Sequence, residues 1–196
     1  MNLQRLREQL SAVTAVLLSV SCGMVVAGAM LPSGPVTTAD HVRVVSDVPP
    51  AAPVRLVVPR IGLKSEVVPI DMTSEGVLDP PGDVQLTGWW RGSAKPGEKT
   101  GQTLLTGHTV HTGGGVMNDL GKVEVGDAVR VRTRKGVVHY EATKVTTYSR
   151  EEIAEHAEEL FGQNQQHRRL VLVTCTDWKD GVYRSNLVVF ADPVRT

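Results

Sequence analysis

The chain has 196 residues, 21 Lys plus Arg against 21 Asp plus Glu, and 41% hydrophobic residues. That charge balance excludes the basic footprint of a nucleic-acid binder. Two cysteines, Cys22 and Cys175, are too few and too differently placed for a disulfide framework.

Arg5 and Arg7 precede residues 12–31, a stretch with no charged side chain. Its length matches the roughly 20 helical residues that span a bilayer. Upstream arginines put residues 1–11 in the cytoplasm and everything after Leu31 outside. The segment 12–31 therefore reads as a single-pass signal anchor, with Cys22 as a small apolar residue inside it. Cleavage after a small-residue site at residues 26–29 is the alternative. Residues 32–53 hold Pro32, Pro35, Pro49, Pro50 and Pro53 and read as a proline-rich, extended linker. About 140 residues follow, from 54 to 196, the size of one domain.

Within that domain short strands are expected at residues 54–59 and 65–70, joined around Gly62, and at 102–107. Residues 128–133 and 137–143 flank the turn Arg134-Lys135-Gly136, a hairpin signal. Residues 144–148 continue or bend its second strand, and 170–174 and 186–191 complete the set. Ser149-Arg150-Glu151-Glu152 has the form of a capping box. It predicts one helix over 149–160, with Ile153, Ala157 and Leu160 as its apolar stripe, and residues 116–120 add a short helical turn. Many short strands divided by turn residues predict an all-β, closed or nearly closed barrel.

The chemistry concentrates at strand ends. The apolar run Leu170-Val171-Leu172-Val173-Thr174 is expected to stop at Cys175, followed by a polar turn over residues 176–181. A lone cysteine outside the cell is a candidate reactive thiol, although a buried packing residue is the commoner fate of such a side chain. Leu104-Leu105-Thr106-Gly107 closes on His108, and Arg184 enters the last strand. Cys, His and Arg at strand ends point to a thiol acyltransferase or peptidase. His111, beside the glycine-rich stretch 112–115 that reads as a mobile loop, is the rival for the histidine role. His108 and His111 with Asp119 make only a weak metal set, so no metal or cofactor is expected. Asp177 and Asp180 read as turn formers.

These residues resemble the sortases, cysteine transpeptidases of Gram-positive surfaces. Val171-Leu172-Val173-Thr174-Cys175 is similar to their Thr-Leu-x-Thr-Cys signature, with Val171 replacing threonine. Thr106-Gly107-His108 and Tyr183-Arg184-Ser185-Asn186 match the family's histidine and arginine segments. Residues 58–63 resemble its first strand and turn, and residues 119–127 the stretch after its histidine. Trp89-Trp90 and the ending 187–191 look most like class F of actinobacteria, with class E as neighbour.

The resemblance implies an eight-stranded barrel with one or two short helices, in a monomer. It implies cleavage of a Leu-Pro-x-Thr-Gly-like sorting signal and transfer to an amine of the cell-wall precursor or wall peptide. Cys175 would be the nucleophile, His108 the general acid and base, and Arg184 the oxyanion or substrate stabiliser. Thr174, Trp89, Trp90 and Trp178 are candidate substrate contacts. A thiol peptidase releasing peptide to water is the alternative within enzymes; a non-catalytic barrel binding surface peptides is the alternative outside them.

Overall fold

A computed structural model describes residues 48–194 apart from 75, 165 and 167. The charge-free segment 12–31 and most of the proline-rich linker lie outside these described residues. Among the described residues no helix is long and apolar enough to cross a membrane.

Eight strands close into a barrel in the order β1-β2-β3-β4-β7-β8-β6-β5. They are β1 (Pro53–Val58), β2 (Leu63–Ile70), β3 (Thr87–Trp90), β4 (Gln102–Gly107), β5 (Ala128–Thr133), β6 (Gly136–Ser149), β7 (Arg169–Lys179) and β8 (Val182–Val194). The alternation in β5 shows how the sequence builds a wall. Val129, Val131 and Thr133 turn inward and are buried, while Ala128, Arg130 and Arg132 face solvent. β5 closes on β6 through the expected hairpin, with Thr133 opposite Gly136. The β1–β2 turn needs a left-handed residue, and Gly62, at φ 65°, supplies it without the cost of a Cβ.

β4 differs from β5 because it is buried along its whole length. Its inward residue Leu105 joins the barrel core with Leu56, Val131 and Leu172. Leu104 points the other way, into a second cluster with Val171, Phe190 and Leu160. That second cluster exists because the β6–β7 connection folds over the outside of the sheet. There α1 (Arg150–Glu155) and α2 (Ala157–Phe161) replace the single helix expected over 149–160. The capping box at Ser149 and Glu152 forms, with Ser149 Oγ accepting from the Glu152 amide at 3.1 Å. The helix stops at His156, whose backbone (φ −96°, ψ 13°) leaves the α-helical conformation.

Buried Gln102 ties this roof to the barrel. Its Nε2 donates to the carbonyls of Glu159 and Gly162 at 3.1 and 3.0 Å, and its Oε1 accepts from Arg169 Nε at 2.7 Å. Arg169 also lies over the Phe190 ring at 4.4 Å, so its guanidinium has an aromatic face and a carbonyl as neighbours.

Candidate active site

β4 and β7 run parallel, and their register pairs Thr106 with Val173. Continuing that register sets His108 abreast of Cys175. The strand ends are locked together one residue earlier. Thr174 Oγ1 donates to the Gly107 carbonyl at 2.7 Å and lies 2.8 Å from Thr109 Oγ1. Thr174 is thus 3% exposed and holds the histidine segment against the thiol segment. It joins the two strands and also lines the groove that holds Cys175.

Hydrogen bonds join the two ends of the loop after His108. Asn118 accepts from the Val110 amide at 2.8 Å and donates to the Val110 carbonyl at 2.9 Å. A Cβ at Gly115 would lie 2.5 Å from the His108 carbonyl oxygen, so the chain passes there only as glycine. His108 Nε2 sits 2.8 Å from the Pro81 carbonyl. A carbonyl only accepts, so Nε2 carries a hydrogen and Nδ1 is the nitrogen left to gain and lose a proton.

Cys175 is half-buried and free, and burial pushes its thiol up from the ordinary range. The opposing influence on it is the positive charge of Arg150. The sulfur lies on a groove of about 510 Å³. Val77, Leu78 and Pro80 line it together with Ile153 and Phe161 of the two helices and Val173 of β7. Arg150 and Asn186 line it as well; Asn186 is the β8 partner of Cys175, and the Arg150 charge acts on the thiol. The lining is thus mainly apolar, with Thr106, Arg150, Thr174 and Asn186 as its polar members besides Cys175.

The strand does not stop at the thiol, as the polar residues after it had suggested. β7 continues to Lys179, and only Asp180 and Gly181 make the turn. Both have positive φ, 53° and 84°. That fits the tight two-residue hairpin for which Asp-Gly is a strong signal. Asp177 also has positive φ, 58°, and is a strained position close to the thiol. Arg184 is not at the sulfur here. Its Nη2 donates to Asp180 Oδ2 at 2.5 Å, and its side chain is 44% exposed.

The tryptophans divide. Trp89 is 6% exposed in the barrel core, with its indole nitrogen unpartnered, so it walls no part of the groove. Trp90, on the other face of β3, packs with Leu78, Ile153 and Phe161 against the second cluster and so backs the groove walls. Trp178 is 41% exposed and stacks on His111 at 4.1 Å between ring centroids and 7° between planes. It also meets Tyr183 edge-on at 4.8 Å. Sequence reasoning did not single out Val77, Leu78, Pro80, Phe161, Asn186 or Arg150 for the groove.

A closed barrel with a thiol on one strand abreast of an imidazole at the end of its parallel neighbour, and with that thiol on a mainly apolar groove, defines a cysteine acyl-transfer enzyme. The chain belongs to the sortase family, whose domain model, "Sortase domain", matches residues 56–194. It is accordingly a cysteine transpeptidase of the kind that acts on sorting-signal peptides and amine nucleophiles.

Solved structures show the same fold. Sortase C-1 from Actinomyces oris is 22% identical with a TM-score of 0.57, over 72% of this chain and 73% of that one. Sortase A from Corynebacterium diphtheriae is 19% identical with a TM-score of 0.59, over 77% and 63%. A Clostridium perfringens sortase D5 transpeptidase is 18% identical with a TM-score of 0.55, over 78% and 83%. No curated protein matches the chain.

Proposed function

We propose that this sortase is membrane-anchored and of class F, with class E as neighbour, from an actinobacterium. It cleaves a Leu-Pro-x-Thr-Gly-like signal and joins the new carboxyl end to an amine of the wall precursor or wall peptide. The observation that carries this reading is the mainly apolar groove lined by Cys175, Arg150 and Asn186. Its apolar members suit the apolar side chains of such a signal, and its polar members suit the scissile amide.

In this scheme the Cys175 thiolate attacks the threonine carbonyl and forms a tetrahedral intermediate. His108 protonates the glycine amine as the threonine–glycine bond breaks, leaving a thioester on sulfur. The incoming amine attacks that thioester, gives its proton to His108, and expels the thiolate. Arg184 stabilises the oxyanion on leaving Asp180. Incubating the protein with a panel of sorting-signal peptides and amines, read by mass, tests this. We expect ligated product with one signal and its amine. Cleavage with water as the only acceptor would replace transfer by hydrolysis, and no cleavage of any peptide would sink both.

The anchor and topology belong to the same proposal. Protease added to intact protoplasts should digest the domain and spare the N-terminus. A domain protected until lysis contradicts an outward-facing enzyme.

A further inference from the structure

Two arginines compete for the thiol, and the geometry favours the one that sequence motifs pass over. Arg150 follows the capping Ser149 as the first residue of α1, so the capping box fixes its backbone. Its Nη2 donates to the Tyr183 carbonyl on β8 at 2.9 Å. This bond ties the guanidinium to the strand beside β7, and the side chain lines the groove together with Cys175 and Asn186. A guanidinium has five N–H donors, so one bond to a carbonyl leaves most of them for the groove. Arg184 is committed to Asp180 at the far tip of the hairpin.

We infer that Arg150 is an electrostatic partner of Cys175: held by the Tyr183 carbonyl, its guanidinium faces the sulfur and the carbonyl oxygen of bound peptide. The inference rests on Cys175 being the nucleophile of the proposed transfer. It assigns Arg150 the resting-state task of favouring the thiolate, and it leaves Arg184 to act once substrate has drawn it from Asp180.

The titratable and charged groups on the elements that pack near the sulfur are several. His108 follows β4, and Tyr183 and, paired with Asp180, Arg184 lie on β8. Asp177 lies on β7 itself, and Arg150 on α1. Burial opposes the thiolate, and Arg150 is the cation that counters it. The Tyr183 phenol, itself pushed up by burial, interacts with the thiolate when both are charged. Because Arg150 is exposed, its influence should weaken with added salt.

The test is the pH dependence of Cys175 alkylation in the full chain. Iodoacetamide is the probe, and labelling is followed by mass on the peptide bearing Cys175. Arg150→Gln removes the charge but keeps a donor for the Tyr183 carbonyl, and its inflection should move to higher pH. Arg150→Lys should restore the wild-type inflection in large part, and Arg184→Ala should leave it in place. High salt should narrow the gap between wild type and Arg150→Gln. An inflection unmoved by Arg150→Gln overturns the inference while leaving the nucleophile reading intact, as does one moved by Arg184→Ala alone. A wild-type Cys175 that resists alkylation at every pH overturns both. A melting curve on each variant separates lost charge from lost fold.

Discussion

Cys175→Ala should abolish peptide cleavage and ligation together, with no residual turnover above the peptide's own hydrolysis. Both half-reactions pass through one thioester, and the domain has no second sulfur that could carry it: the remaining cysteine is Cys22. Serine and threonine hydroxyls do not substitute, because without an activating base they are weak nucleophiles at neutral pH. Thr174, one of the two threonines adjacent to Cys175 in sequence, already donates to the Gly107 carbonyl. The sulfur is half-buried at a groove wall, so trimming it to a methyl group should leave the fold and its melting temperature nearly unchanged. The direct readout is the adduct. Wild type incubated with signal peptide should gain the acyl mass on Cys175, releasable by hydroxylamine, and Cys175→Ala should gain none. Turnover retained by Cys175→Ala would remove the thiol from the mechanism.

The parts of the fold legible in the sequence are those in which local pattern and burial agree. β5 alternates strictly and is bounded by turn residues, so its two faces follow from the side chains alone. β4 lies between Gly101 and His108, and its bounds coincide with the strand expected over residues 102–107. β3 was invisible for a physical reason. Thr87-Gly88-Trp89-Trp90 is four residues long and includes a glycine, and it becomes a strand only by pairing between β2 and β4. The polar tail of β7 looked like a turn because no core faces it. Its strand character comes from pairing with β8, Thr176 with Ser185 and Trp178 with Tyr183.

The candidate site divides in the same way. Cys175 and His108 stood out because each ends an apolar run, and the parallel β4–β7 register brings those ends together. The groove did not stand out, because its walls come from pieces without shared periodicity. Val77, Leu78 and Pro80 lie in an irregular loop, whereas Ile153 and Phe161 belong to helices whose apolar stripe looks like ordinary core. Arg150 was concealed inside a capping box, where its neighbours explain themselves by helix initiation alone. Trp89 misled through strand parity. It and Trp90 are adjacent in sequence, so they must face opposite sides, and only Trp90 lies on the groove's side of the sheet.

The two histidines give the second large effect, and they should behave very differently. His108→Ala should lower the rate of transfer by roughly 10²–10⁴-fold, the usual contribution of a positioned acid or base. Its ring is anchored by the Pro81 carbonyl, and its backbone carbonyl accepts from the Met117 amide at 3.0 Å. Both contacts hold the imidazole at the end of β4, abreast of the thiol. Loss of the ring removes the proton donor for the leaving amine and the acceptor for the incoming one. His111→Ala should retain most activity. That ring stacks flat on Trp178, a packing task that involves no proton transfer. Binding of peptide should change little in either variant, so the loss in His108→Ala should fall on kcat more than on KM. Single-turnover acylation by each variant, followed by mass, decides the matter. An inactive His111→Ala beside an active His108→Ala would reverse the assignment, and equal losses in both would point to Trp178 and its stacked partner as a second part of the reacting site.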